Sequence, residues 1–214
     1  LVFSYTTDLL LNRFARTGWQ AIEAQWEQGE IGSKVCMQQQ IALLDMSVQE
    51  FQQCLDEIEI DQGLITLIDA ISAHNIKLTV VSDGLDAVID YMLKKHQLNH
   101  LNIIANHLIQ ADERHWQLQF PYAQPHCISK SGTCKCSIAA LNQQKIILIG
   151  DGRSDFCLAE QADFVFAKKS LIQHCASQQI QHHAFEQLSE LIQPLLALLQ
   201  HHAIHQQDRL VLNS

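Results

Sequence analysis

The chain has 214 residues, of which 47% are hydrophobic and 17% charged, with a formal net charge of -9. That size and balance fit one large globular domain, or one domain with a modest insertion, and a sizeable buried core. The acidic balance opposes a broad phosphate-backbone surface, so no nucleic-acid partner is expected; a small phosphorylated ligand needs only a few local positive groups or a metal.

The first three residues, Leu1 to Phe3, form a short apolar run that reads as an opening strand. From Asp8 the hydrophobic period changes. Leu11, Phe14, Ala15, Trp19, Ile22 and Trp26 recur three or four apart, which predicts an amphipathic helix. Gly29 and Gly32 punctuate it, Ser33 is placed to cap a second helix through Leu44, and a third helical stretch runs from Ser47 to Ile58.

Beyond residue 60 helices alternate with strands. Asp61 to His74 reads as a helix, Lys77 to Val81 as a β-branched strand, Leu85 to His96 as a helix and Leu101 to Ala105 as a strand. His107 to Gln110 and His115 to Phe120 are spaced for a hairpin, and a loop with Pro121, Pro125 and Gly132 leads to a helix from Lys135. Lys145 to Ile149 is a fully apolar strand, Ser154 to Gln161 a helix, Phe164 to Ala167 a strand, and helices, one kinked at Pro194, are expected to finish the chain. Such alternation predicts an α/β fold with a parallel sheet covered on both faces. The helical block reads as an insertion, giving a core of residues 1–7 and 61–214 and a helical insertion of residues 8–60.

Three loops concentrate the chemistry. Asp151 directly follows an apolar strand within Gly150-Asp151-Gly152-Arg153-Ser154-Asp155, where ligands bind in open α/β sheets. Asp155, four residues on, can aim its carboxylate at the same spot, and paired oxygens with open positions suit Mg²⁺. The alternative is a plain turn with an aspartate at a helix start. Ser82-Asp83-Gly84 also lies between a strand and a helix, and a hydroxyl with backbone N–H groups there could cradle a phosphate oxygen; the alternative is an ordinary N-cap. Lys135 opens a helix, the unfavourable end of its dipole for a cation, which makes sense if it faces an anion; the alternative is a solvated lysine. Gly84, Gly132, Gly150 and Gly152, four of the eight glycines, all lie at these loops.

In that order the loops resemble the second, third and fourth motifs of the haloacid-dehalogenase superfamily, and the helical block resembles the cap of its phosphoserine-phosphatase-like branch. Val81 to Val88, Ala105-Asn106-His107-Leu108, Gly132 to Lys135 and Gly150 to Lys168 are similar to methionine-salvage phosphatases acting on 2-hydroxy-3-keto-5-methylthiopentenyl-1-phosphate. The resemblance implies a Mg²⁺-dependent phosphomonoester hydrolase for a small phosphorylated metabolite. Ser82, Asp83, Gly84 and Lys135 would bind the phosphate, with Lys135 also the catalytic cation, and Asp151 and Asp155 would serve the metal. The cap would select the leaving group through residues such as Arg13, Phe14 or Trp19.

One departure bears on activity. The family's DxDx[TV] motif, source of the aspartyl nucleophile, should follow the first strand, yet Ser4-Tyr5-Thr6-Thr7-Asp8 has no such pair, and Asp8 matches a position after the motif. The sequence therefore leaves open a non-catalytic phospho-ligand-binding protein, or a domain whose site is vestigial. Gly150-Asp151-Gly152 lacks the third glycine of a dinucleotide fingerprint.

Seven cysteines scattered through apolar segments predict reduced, mostly buried thiols in a reducing, cytoplasmic setting. Cys127, Cys134 and Cys136 with His126 lack zinc-ligand spacings. His182-His183 and His201-His202-His205 are expected on solvated faces, with His201 and His205 spaced to take up a metal adventitiously. No signal peptide and no membrane-spanning apolar run is read, so no membrane partner is expected. Nothing in the sequence sets an oligomeric state.

Overall fold

A computed structural model describes residues 6–72, 74, 76–140, 145–201 and 209–213. The expected first strand and the position of the missing motif at residues 1–5, and His202 and His205, lie outside the described residues. Ten α-helices and seven strands are named: α1 Thr6–Phe14, α2 Trp19–Glu27, α3 Ser33–Ile41, α4 Val48–Asp56, α5 Gln62–Ser72, β1 Lys77–Leu85, α6 Asp86–Lys95, β2 Asn102–Gln110, β3 Trp116–Gln119, α7 Lys135–Ala140, β4 Ile146–Gly150, α8 Phe156–Ala159, β5 Phe164–Ala167, α9 Ser170–Ser177, β6 His183–Ala184, α10 Ile192–His201 and β7 Arg209–Asn213. The strands form a mostly parallel sheet in the order β3-β2-β1-β7-β4-β5-β6, as the α/β reading predicted. Among the described residues, no helix is long and apolar enough to cross a membrane.

The described residues fall into two compact units, one of residues 60–81 and 135–213, the other of residues 6–59 and 82–134. In the first, β1, β7, β4, β5 and β6 pair parallel. All five residues of β4, Ile-Ile-Leu-Ile-Gly, are buried, as a strand covered on both faces requires. Leu64, Leu67, Ile68 and Ile71 of α5 and Leu195 and Leu199 of α10 add the apolar cover.

The second unit is built on helices. Two of them were expected as one. The stripe from Leu11 to Trp26 breaks after Phe14, because the chain turns to pair with residues 43–45: Arg16 N–H donates to Leu43 O at 2.9 Å and Asp45 N–H to Phe14 O at 2.9 Å. Gly18, at φ 111, supplies the left-handed conformation that restarts the helix as α2. Ser47 and Glu50 form a reciprocal capping box on α4, which packs Phe51 against Trp116 of β3 with ring centroids 5.5 Å apart. Trp116 Nε1 donates to Met46 O at 2.8 Å, and β3 pairs antiparallel with β2 in the expected hairpin.

Four other readings are corrected. The strand expected at Leu101 to Ala105 continues to Gln110, since it merges with the first hairpin arm. The helix expected from Ser154 opens as a 3-10 turn, Arg153–Asp155, before α8. Pro194 kinks nothing; it lies in the first turn of α10, where no intrahelical N–H is needed. Among the described residues the last element is the strand β7 rather than a helix, a run too short to carry a helical or strand period of its own.

Candidate active site

In the first unit, β4 delivers its chain end into the loop that carries Asp151. Asp155 folds back on that loop: its Oδ2 accepts from the N–H groups of Asp151 and Gly152, each at 3.0 Å. Its Oδ1 accepts from Lys135 Nζ at 2.7 Å, and both side chains are fully buried. Lys135 also donates to Ser154 Oγ at 3.0 Å. A cation at the start of α7 opposes the helix dipole, so the Asp155 carboxylate is what holds it there.

Gly150 is required by this packing. A Cβ there would lie 2.7 Å from the Asp155 carboxylate and 3.0 Å from Leu171 Cδ2. Asp151 is buried, with Oδ2 3.2 Å from Lys169 Nζ, and its own carbonyl accepts from Ser170 Oγ at 3.2 Å. Burial acts to push the Asp151 carboxyl up, and the Lys169 ammonium acts to hold it down. Lys135 and the Asp151 backbone are thus both held by the Asp155 carboxylate. Lys169 was not read from the sequence; its signal is the second of two lysines after β5, at the N-cap of α9.

In the second unit, Ser82, Asp83 and Gly84 lie on the last residues of β1. Ser82 is buried and its Oγ accepts from Gly84 N–H at 2.9 Å. Asp83 is a hub. Its Oδ2 accepts from Ser33 Oγ at 2.6 Å, its Oδ1 from Thr133 N–H at 2.9 Å, and its carbonyl from Asn106 Nδ2 at 2.6 Å. Thr133 Oγ1 donates to Asn106 Oδ1 at 3.1 Å. Ser33 therefore does not cap α3 as expected; Gly32 holds that position and the hydroxyl serves Asp83 instead. That Ser33, Asn106 and Thr133 gather around Asp83 escaped the sequence reading because partners 23 and 50 residues apart leave no local pattern.

The other candidates separate. Arg13 grips Glu57 with two bonds of 2.8 and 2.6 Å, and Phe14 and Trp19 are half-buried. All seven cysteines are free thiols, six of them buried and Cys136 half-buried. His183 is exposed at β6 and His182 half-buried.

The donor set suits a hard cation. Asp151 offers carboxylate oxygens, whereas both oxygens of Asp155, expected to serve the metal, are engaged with Lys135 and the Asp151 and Gly152 N–H groups, and among the described residues no group of three or more His, Cys, Asp or Glu is gathered for a metal. Mg²⁺ is bound in this way, through one or two carboxylates, waters and substrate phosphate, whereas zinc prefers four nitrogen and sulfur ligands.

Comparison with known proteins identifies relatives of this chain. The profile of the Putative Phosphatase family matches residues 33–194. A 2-hydroxy-3-keto-5-methylthiopentenyl-1-phosphate phosphatase of Exiguobacterium sp. (strain AT1b) is 28% identical over 183 residues, 83% of this chain and 84% of that protein. The enzyme of the same name from Bacillus pumilus is 28% identical over 188 residues, 85% and 80% of the two chains. That from Bacillus cereus (strain G9842) is 30% identical over 153 residues, 70% and 69%. Among solved structures, a phosphoserine phosphohydrolase-like protein from Francisella tularensis superposes with a TM-score of 0.61 at 19% identity, covering 83% of each chain. A phospho-aspartyl intermediate analogue of phosphoserine phosphatase gives 0.59 at 18%, covering 82% and 84%. These structures share the fold.

Proposed function

Since the chain belongs to the Putative Phosphatase family, in the phosphoserine-phosphatase-like branch of the haloacid-dehalogenase-like superfamily, we propose that it is a Mg²⁺-dependent phosphomonoester hydrolase for a small phosphorylated metabolite. The substrate chemistry we assign is that of its relatives, 2-hydroxy-3-keto-5-methylthiopentenyl-1-phosphate. The observation that carries this reading is the buried Lys135–Asp155 pair beside Asp151. A cation held fully buried against a helix dipole is costly to fold, and binding a phosphate would give it a use.

In this proposal Asp151 holds the metal, and Asp155, both of whose oxygens are already engaged, acts by fixing the Asp151 loop and the Lys135 ammonium. Bound Mg²⁺ would neutralise charge on the transferring phosphoryl group. Lys135 adds a fixed positive charge for the phosphate oxygens, preorganised by Asp155 and Ser154, which is where most of the barrier lowering in phosphoryl transfer arises. Ser82 and the backbone at Asp83 and Gly84 bind a phosphate oxygen. The Asp83 carboxylate, which would repel phosphate, is occupied instead with Ser33 and Thr133. Residues 8–60 act as the cap that selects the leaving group.

A second reading rests on one sequence observation: residues 1–8 contain no DxDx[TV] pair. On that reading the chain binds a phospho-ligand without turning it over. The two are separated by measuring phosphate binding and inorganic phosphate release over a panel of phosphomonoesters, with Mg²⁺ and with EDTA. Release that needs Mg²⁺ and is lost in Asp151→Asn supports the hydrolase. Binding without release supports the second reading, and release gained on inserting DxDx[TV] between Ser4 and Tyr5 then locates the deficit. Neither binding nor release, in either form, overturns both.

A further inference from the structure

Lys169 breaks two local rules at one position. It stands after β5 at the N-cap of α9, the end of a helix dipole that disfavours a cation. Its backbone sits at φ 49 and ψ -128, a region that glycine enters freely and a residue with a side chain enters only under strain. The side chain is 43% exposed, yet its ammonium lies 3.2 Å from Oδ2 of Asp151, whose own side chain is 9% exposed. The flanking residues hold the same loop. Lys168 N–H donates to Gly150 O at 3.0 Å and Ser170 Oγ to Asp151 O at 3.2 Å, so three successive residues grip the Asp151 turn. Local conflicts that survive in a fold cluster at functional sites, and this one ends on the carboxylate assigned to the metal.

We propose that Lys169 couples the two ligands of the site: it weakens the hold of Asp151 on Mg²⁺ alone and strengthens the hold of the metal-loaded site on phosphate. The inference rests on the phosphatase reading for the identity of those ligands. The side chains of Lys135, Lys169, Asp151 and Asp155 carry two positive and two negative charges, so these four together give a divalent cation little net attraction. Mg²⁺ has to share Asp151 with the ammonium, and that repulsion is worth roughly tenfold in affinity for a half-exposed pair. Phosphate reverses the sign. An anion beside Asp151 is attracted to the same ammonium, which its exposed, flexible stem can carry off the carboxylate while Asp151 stays buried. A site balanced in this way holds a bare metal poorly and fills best when metal and phosphate bind together. An ion pair that only braced the loop would behave otherwise, because its loss would weaken both ligands.

Calorimetric titration of the whole chain tests this, first with Mg²⁺ alone and then with inorganic phosphate at saturating Mg²⁺. Lys169→Met should bind Mg²⁺ roughly tenfold more tightly than the parent, and phosphate roughly fivefold more weakly. Lys169→Arg, which keeps the charge, should return both affinities to within about twofold of the parent. Lys168→Met removes the same charge one residue away, but that ammonium donates to Glu186 O, so both affinities should again stay within about twofold. If circular dichroism shows that Lys169→Met does not fold, Lys169→Gln reads the same two affinities. With a parent that binds both ligands, the inference is overturned by Mg²⁺ affinity that fails to rise in Lys169→Met, by phosphate affinity that fails to fall, or by equal changes in Lys168→Met. Each of those results leaves the phosphatase reading standing. A parent that binds neither Mg²⁺ nor phosphate overturns both.

Discussion

Replacing Lys135 by methionine removes the charge while keeping the length of the side chain, and it isolates what the buried pair contributes. Asp155 would remain fully buried, with its Oδ2 still receiving the Asp151 and Gly152 N–H groups but its Oδ1 stripped of the 2.7 Å bond to the ammonium. Breaking a buried pair from one side costs about 3–5 kcal/mol, because an uncompensated charge stays inside. With a urea slope of about 2.5 kcal/mol/M, the unfolding midpoint should fall by roughly 1–2 M. Adding Asp155→Asn to Lys135→Met removes the stranded charge but keeps an acceptor for the two N–H groups. The double variant should therefore recover about 2 kcal/mol relative to Lys135→Met. Far-UV circular dichroism is the suitable probe, since Trp19, Trp26 and Trp116, the only three tryptophans, lie in the other unit. A Lys135→Met midpoint within about 0.3 M of the parent, or a double variant losing the sum of the single losses, would refute the reasoning.

Other perturbations test other parts of the fold. Gly150→Ala places a methyl 2.7 Å from the Asp155 carboxylate and should cost about 1–3 kcal/mol in urea unfolding, with weaker Mg²⁺-dependent phosphate binding by calorimetry. The Asp112 carboxyl is held at about 2 by the N–H groups of Arg114 and His115 and by the His115 ring. Its folded value is depressed, so its contribution is present above the ordinary 3.8 and lost as pH falls toward 2; Asp112→Asn should flatten the decline of Tm in that window. Ser47→Ala removes one arm of the α4 capping box and should lower stability by about 1 kcal/mol in the same urea assay.

What the sequence made legible was local. The apolar run of β4 and the loop from Gly150 to Asp155 are contiguous, so the strand, the turn and two carboxylates could be read together. The α4 start was legible because Ser47 and Glu50 sit three apart in a helix-start pattern. What was missed is held by distant partners. Nothing near Phe14 announces that residues 14–16 will pair with residues 43–45 and split a helix whose hydrophobic period runs on unbroken. Ser33 looks like a cap in sequence, and only the approach of Asp83, 50 residues away, diverts its hydroxyl. Lys169 was passed over for the same reason: its partner Asp151 is set by two strand ends lying side by side, which the order of residues does not display.

The placement of β7 has a consequence for how the protein comes off the ribosome. Arg209–Asn213 pairs with β1 on one side and β4 on the other, so a middle strand of the sheet is the last of the seven to be synthesised. Until it arrives, β1 and β4 each present an unpaired edge, separated by about two strand spacings, close to 10 Å. Open edges of apolar strands invite pairing with other chains, and closing contacts this far apart in sequence is slow. Nascent chains halted before Arg209 should therefore depend on chaperones to stay monomeric, and release of the last strand, rather than formation of any helix, should be the event that ends that dependence.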